Sequence, residues 1–449
     1  MRAELAAKYD LRVPRYTSYP TAPHFSPAVG AERYGRWLGE LPAAMPLSLY
    51  LHIAYCAEMC WFCACNLKIT KRYEPVADYM ECLWREIELV AERLPARMAA
   101  RHVHFGGGTP TILTPADFTA TIERLRRHFL IRDDAEIAVE LDPRTTDRDY
   151  IKAMVAVGVT RCSMGVQDFN PKVQEAINRI QPYDVTARTF DWLRADGVTE
   201  INMDLIYGLP FQTVESMIET IDQAIGLAPR RIALFGYAHV PWMKKHQRLI
   251  PEAALPNIDQ RWAMYDGAAR RLTERGYVAV GLDHFARADD EIAVALKEGR
   301  LHRNFQGYTT DEADALIGLG ASGIGSLPQG YIANDHSIHA YKQLIRQGRL
   351  ATQRGIAIND DDRLRRAVIE RMMCDMRVDL DAVAARFQTD PAVFDPVIDG
   401  LADMEADGLL TRRGRAIAMT EFGRPLSRAA CARFDTYLKQ GETRHSKAV

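Results

Sequence analysis

Four of the chain's eight cysteines, Cys56, Cys60, Cys63 and Cys65, fall within ten residues. The other four, Cys82, Cys162, Cys374 and Cys431, are scattered, as small buried apolar residues usually are. In a reducing compartment, four close thiols point to metal or redox chemistry before disulfides. Cys56-Ala-Glu-Met-Cys60-Trp-Phe-Cys63 has a C-x3-C-x2-C spacing. Three such thiolates can hold three irons of a four-iron cluster, which leaves one iron open to a small molecule. Structural zinc is the weaker reading, because it prefers two separated ligand pairs and no second Cys/His pair of that kind occurs. Cys65 lies only two residues past Cys63, an awkward position for a fourth ligand.

Other residues could serve the same site. Gly106, Gly107 and Gly108 end a candidate strand and would let the backbone approach a ligand closely. The run is neither a Walker loop nor G-x-G-x-x-G, so nucleotide phosphate binding is not indicated, and a tight turn remains its plainer reading. Glu140, Gln167 and Asp204 fall at or near the ends of three successive candidate strands. Read as lying in register, they form one polar group at one end of a sheet.

Six short apolar runs, 47–53, 102–105, 136–141, 160–166, 200–207 and 231–237, read as strands that alternate with amphipathic helices. In 76–94 Tyr79, Leu83, Ile87, Val90 and Leu94 form one stripe. Thr114 can cap and Pro115 can start a second helix, with Phe118, Ile122 and Leu125 on its buried face. Such alternation implies a parallel α/β sheet, either a partial barrel of six β/α units or a doubly wound open sheet. The cysteine loop follows the first strand, at the strand end where α/β folds place chemistry. Residues 1–46 read as an extended segment with one short helix near 30–41, and 47–350 as the barrel with an extension. Within that extension 277–284 reads as one strand, followed by polar loop to about 312. Residues 351–440 read as a mostly helical, winged-helix-like domain with a hairpin near 408–424. Residues 441–449 read as a disordered tail. A DNA-binding role for the hairpin would rest only on Arg412, Arg413 and Arg415, against the plainer reading of a packing module.

The chain has 449 residues, with 57 Lys plus Arg against 59 Asp plus Glu, a formal charge of −2. That balance argues against a generic polyanion binder. No apolar run reaches membrane-spanning length, and the first residues carry charges where a signal peptide needs an apolar core. A cytoplasmic protein without nucleic acid or membrane partners is expected.

C-x3-C-x2-C after the first strand of a partial barrel resembles the radical S-adenosylmethionine (SAM) superfamily. PRYTSYPT (14–21), SLYLHI (48–53), GGGTPT (106–111), VELDPR (139–144), SMGVQDFN (163–170), NMDLIYGLP (202–210), YAHVP (237–241) and HRNFQGYTT (302–310) narrow it. Together they resemble the oxygen-independent coproporphyrinogen III oxidases, or coproporphyrinogen dehydrogenases, over about residues 10–440. The resemblance implies a 4Fe–4S cluster on Cys56, Cys60 and Cys63, with one SAM on the open iron. It implies a 5′-deoxyadenosyl radical that takes hydrogen from a propionate β-carbon. Loss of CO2 and one electron then leaves a vinyl group, and two of the four propionates of coproporphyrinogen III are converted, giving protoporphyrinogen IX. Tyr50, Gly107, Glu140 and Ile324 are implied at the first SAM. Phe62, Gly108, Thr109, Gln167, Arg179, Asp204 and Ala238 are implied at a second SAM. Burying carboxylates calls for cationic partners, for which Arg15, His302 and Arg303 are candidates, with Phe305 and Gln306 beside them. The extended N-terminal segment would cover the open barrel mouth and shield the radical. A monomer is expected, and no motif identifies the electron donor or acceptor. Two departures leave every ligand in place: Ala54 where the family commonly has Pro, and Gly236 where it often has Asn. A haem-binding chaperone-like relative and a radical SAM methyltransferase or cyclopropanase on the same scaffold are the rival functions. Cys65 and PRYTSYPT argue against the first, and HRNFQGYTT against the second.

Overall fold

The computed structural model describes Leu5, Lys8, Tyr9 and residues 13–438. The expected disordered tail lies outside them. Twelve strands form one sheet: β1 (Leu47–Ile53), β2 (Ala99–Gly107), β3 (Leu130–Leu141), β4 (Arg161–Gln167), β5 (Glu200–Tyr207), β6 (Arg231–Gly236), β7 (Tyr277–Val280), β8 (His284–Arg287), β9 (Ala315–Leu319), β10 (Ile324–Leu327), β11 (Gly330–Asn334) and β12 (Thr352–Ala357). Their order is β12-β11-β10-β9-β1-β2-β3-β4-β5-β6-β8-β7. β9 and β1 to β6 run parallel, while β10 to β12 on one side and β7 and β8 on the other are antiparallel. The edge strands β12 and β7 do not pair with each other, so the barrel is open. The order β1 to β6 never reverses, which removes the doubly wound alternative with its switch point.

Helices α1 (Ala31–Gly39), α2 (Glu74–Ala91), α3 (Pro115–His128), α4 (Arg148–Ala156), α5 (Tyr183–Ala195), α6 (Val214–Gly226) and α7 (Ile258–Glu274) precede the C-terminal helix α8 (Asp360–Asp375). α3 begins as its sequence dictates: Thr114 accepts from the Asp117 amide, Pro115 opens the helix, and Phe118, Ile122 and Leu125 are buried. Along the strands apolar and polar residues alternate. Leu47, Leu49, Leu51 and Ile53 of β1 and Ile201, Met203 and Leu205 of β5 belong to the core. The intervening Ser48, His102, His104, Glu136, Glu140, Asn202 and Asp204 line a cavity of about 300 Å³ inside the barrel. Period two thus sends leucines toward one face and hydrogen-bonding groups toward the other. The cavity floor is an ion-pair network: Arg161 bonds Glu136 at 2.7 Å and Glu291 at 2.7 Å, and Arg231 bonds Asp290 at 2.9 Å.

Three details differ from the expectations. The single strand expected over 277–284 is the antiparallel pair β7 and β8, turned by Gly281 at φ +58°. The polar stretch before 312 holds the helix Glu291–Glu298, capped by Asp290, and a hairpin of His302–Asn304 with Gly307–Thr309. The short run ALIGL becomes the seventh parallel strand, β9, beside β1. In the C-terminal region the hairpin Leu410–Arg413/Ala416–Met419 gains a third strand, Arg377–Asp379. Arg412 pairs with Glu405 and Arg415 with Asp395, so two of the three arginines behind a DNA-binding reading already hold carboxylates. Among the described residues no helix is long and apolar enough to cross a membrane.

Candidate active site

The cysteine loop leaves β1 and is pinched at its base. Tyr55–Cys56 pairs with Lys68–Ile69, and the Lys68 amide donates to Ala54 O at 2.9 Å. Neighbouring segments hold the loop's carbonyls. Asn178 donates to Met59 O at 2.8 Å, Gln247 to Phe62 O at 2.9 Å, His246 to Cys63 O at 2.7 Å and Lys244 to Cys65 O at 2.9 Å. The three sulfurs meet different groups. Thr109 Oγ1 lies 3.2 Å from Cys56 Sγ. Arg179 Nη1 and Arg144 Nη2 donate to Cys60 Sγ at 3.4 and 3.6 Å. The Cys65 amide donates to Cys63 Sγ at 3.4 Å. Cys65, with Lys244 and Arg179 nearby, lowers the Cys63 thiol to about 7, whereas burial pushes Cys56 up to about 12.

A cavity of about 290 Å³ opens beside the cysteines, lined in part by Gly107, Gly108, Thr109, Glu140, Gln167 and Arg179. Phe62 and Asp204 complete the group from the strand ends and the loop. The polar ends are not level, as the sequence suggested. Glu140 lies beside Ser163, whereas Asp204 lies one pleat higher, beside Gly165. Tilted barrel strands impose such a stagger. Gln167 stands above a register shift in β4, at φ +73°. The next residue, Asp168, fixes that turn by accepting from the Asn170 amide at 2.6 Å and Gln212 Nε2 at 2.6 Å.

Neighbouring carboxyls titrate in opposite directions. Burial works to raise Glu140, but His104 Nε2 at 3.1 Å and the Gly107 amide at 3.3 Å outweigh it and hold the group below its ordinary value. Burial, then Glu140, pushes Asp204 up to about 7. Burial also opposes the Asp142 carboxylate, yet Arg179 and Arg144 hold it down at about 2.

The remaining candidates lie outside this cavity. Tyr50 OH is 3.2 Å from His52 Nδ1, and its ring lies against His104. Ala238 O shares the Gln247 amide with Phe62 O. Ile324 packs with Phe305, Tyr331 and Phe25. Of the substrate candidates, Arg15 is exposed and its charge reaches Asp283. His302 bonds Glu370 at 2.9 Å, and Gln306 Oε1 is buried without a partner. Asp142, Arg144 and His104 were not singled out from sequence. The D-P-R that follows Glu140 and the alternate histidines of β2 were the available signals.

These residues fit a cluster and SAM. Among the described residues no three His, Cys, Asp or Glu converge as ligands of a single ion. A cluster instead takes each thiolate at a different iron, which suits three separated sulfurs at one cavity. A Cβ on Gly106 would lie 2.7 Å from Glu140 Oε1, and one on Gly108 2.4 Å from Tyr55 O, so the backbone forms the cavity wall there. Arg179 Nε is buried with no partner, a donor left for a ligand carboxylate.

A model of the Radical SAM superfamily matches residues 50–224, and one of the HemN C-terminal domain matches 358–426. An oxygen-independent coproporphyrinogen III oxidase of Bradyrhizobium diazoefficiens is 50 % identical over 450 residues, covering 100 % of both chains. The chain belongs to the oxygen-independent coproporphyrinogen III oxidase family. The Escherichia coli K12 member is 41 % identical, over 97 % of this chain and 95 % of that one. A solved structure of the Escherichia coli enzyme, described as a radical SAM enzyme, superposes with TM-score 0.90 at 39 % identity, covering 95 % of this chain and 100 % of that one. As a family member the chain is an oxidoreductase that uses a 4Fe–4S cluster and SAM.

Proposed function

We infer that the chain converts two propionates of coproporphyrinogen III to vinyl groups without oxygen, giving protoporphyrinogen IX in haem biosynthesis. The observation that carries this reading is a series of adjacent cavities that share wall residues. The cysteine cavity shares Glu140, Ser163 and Asp204 with the barrel interior. The interior shares Asn304, Thr309, Asp311 and Leu316 with a larger cavity of about 1190 Å³. The space beside the cysteines therefore borders, through shared walls, a cavity roomy enough for a bulky substrate.

When bound, the cluster and SAM supply a one-electron cleavage that yields a hydrogen-abstracting radical. Cys56, Cys60 and Cys63 would hold three irons of the cluster, leaving one iron open for SAM. Tyr50, Gly107, Glu140 and Ile324 hold the first SAM, with Glu140 kept ionised by His104 to accept from an amino group or hydroxyl. Phe62, Gly108, Thr109, Gln167, Arg179, Asp204 and Ala238 hold the second, where Arg179 meets a carboxylate. Each conversion removes one hydrogen atom from the β-carbon, one electron and CO2. Arg15, His302, Arg303, Phe305 and Gln306 face the tetrapyrrole. The protein works in the cytoplasm as a monomer, and a separate donor and acceptor carry the electrons. The test is anaerobic incubation of reconstituted protein with SAM, reductant and coproporphyrinogen III. Vinyl product is expected; a methylated product, or tight haem binding without turnover, would overturn the reading.

A further inference from the structure

The cavity of about 1190 Å³ lies between the hairpin around His302–Thr309, residues 16–19 and helix α8. Several of its cations are already engaged. Arg363 donates to Asp360 at 2.9 Å and to Pro328 O at 3.0 Å. Arg371 donates to Asp375 at 2.9 Å and to Gly299 O at 3.0 Å. His302 holds Glu370.

Apart from the exposed Arg377, Arg386 and Arg413 on the cavity's outer rim, two arginines are left over. Arg303 is 7 % exposed, and its Nε and Nη1 have no hydrogen-bond partner. Its nearest carboxylate, Asp283, stands 4.0 Å away and is bonded to His284 Nδ1 at 2.7 Å. Arg366, on α8, makes no hydrogen bond or ion pair with any described residue. Each guanidinium lies over a tyrosine ring, Arg303 at 4.5 Å from the Tyr308 centroid and Arg366 at 5.6 Å from that of Tyr331. A guanidinium resting on an aromatic face keeps its edge N–H groups free for a planar anion. Two such cations in one partly apolar cavity call for a ligand that brings its own carboxylates.

We propose that Arg366 and Arg303 together form a subsite for the carboxylates of the tetrapyrrole, so that the C-terminal helix binds substrate directly. The proposal rests on the function inferred above and names the part of the molecule that grips the substrate's charged edge. The gripped propionates are those that keep their carboxyl groups. Pairing with arginine stabilises the charged carboxylate, and departure as neutral CO2 would forfeit that pairing. The reacting propionates therefore point past Asn304 and Thr309 into the barrel interior.

Coproporphyrin III, the stable oxidised macrocycle, and its tetramethyl ester serve as probes, with binding read by fluorescence. Arg366→Gln raises the Kd for the free acid about ten- to a hundredfold, the loss of a charge-assisted hydrogen bond, and leaves the ester unaffected. Arg303→Gln gives the same pattern independently. Arg354→Gln, the same charge change at an exposed site on β12, has no effect on either probe. Wild-type affinity for the acid in both cavity variants, or equal losses for acid and ester, overturns the proposal. Turnover by the wild type is measured alongside. Absence of vinyl product there counts against the inferred function, whereas turnover with unaltered variant binding counts against this subsite alone.

Discussion

Asp204 and Glu140 lie one pleat apart, yet burial wins at the first and hydrogen bonding at the second. Asp204 is the more informative, because its folded value of about 7 lies above the ordinary 3.8. The folded protein therefore binds the extra proton between those values. This contribution to stability is fully present below 3.8 and is lost as pH rises through about 7. Asp204→Asn should raise the unfolding free energy from urea melts more at pH 8 than at pH 5, the difference being on the order of a few kcal/mol. An equal change at both pH values would show that the carboxylate's charge is not the cause. The cysteines allow a second prediction at this scale. Cys56→Ala, Cys60→Ala and Cys63→Ala should each lose most of the iron and sulfide of anaerobically purified protein. Cys65→Ala should retain them, because its contact with Cys63 Sγ includes a backbone amide that alanine keeps. Comparable iron loss in all four would make Cys65 a ligand.

At the scale of elements, the junction of β2 with the cysteine loop leaves the least freedom. The Gly108 amide donates to Ile53 O at 2.7 Å and the Thr109 amide to Tyr55 O at 2.9 Å. A Cβ on Gly108 would stand 2.4 Å from that Tyr55 oxygen, against backbone with no side chain to move. Gly108→Ala should therefore cost about 1–3 kcal/mol and lower the iron content. Gly226→Ala, at the end of α6 with its nearest neighbour 3.7 Å away, should do neither. Thermal melts and iron assays on the pair decide it. The alternation that makes β1 to β6 was legible because each strand has a buried apolar face to repeat. β9 was not, since ALIGL is a bare apolar run among glycines, and its register comes from pairing with β1 across a long stretch of sequence. The turn near Gly281 splits an apparent single strand, and the hairpin at Gly307 stands where loop was read, for the same reason: tertiary pairing, rather than local preference, defines these strands. The cysteine spacing and the polar strand ends were visible as types. Their stagger was not, because strand tilt has no signature in a single strand. Arg303 was a candidate from the sequence, but Arg366 looks like an ordinary charged residue until the fold sets it over Tyr331 in the same cavity, with no ion pair to a described residue.

At the scale of the molecule, the N-terminal segment packs into the C-terminal region. Tyr9, Tyr16 and Tyr19 are buried in the same apolar cluster as Met372, Leu401 and Phe434 of the C-terminal region, apart from the barrel core. Tyr16 OH donates to Asp435 Oδ2 at 3.0 Å, and Tyr19 OH lies 3.0 Å from Thr436 Oγ1. Between those tyrosines, Thr17 and Ser18 line the large cavity. The N-terminal segment therefore has two possible duties, covering the substrate and completing the C-terminal core, and one deletion reads both. Without residues 1–22 the barrel core keeps its own apolar residues, so iron content and SAM cleavage should persist. The C-terminal region loses three large buried rings, each contributing roughly 1.5–3 kcal/mol. Its unfolding should separate from that of the barrel as a second, lower calorimetric transition. Proteolysis should then begin within 358–426, the span of the HemN C-terminal domain. Porphyrinogen decarboxylation should collapse, because the wall carrying Arg366 is no longer held against the hairpin carrying Arg303. Tyr16→Phe separates the two duties: it keeps the ring, loses the bond to Asp435, and should cost about 1 kcal/mol with decarboxylation retained. A truncated protein that melts in one transition and decarboxylates at the full-length rate would show that the segment neither completes the core nor covers the substrate.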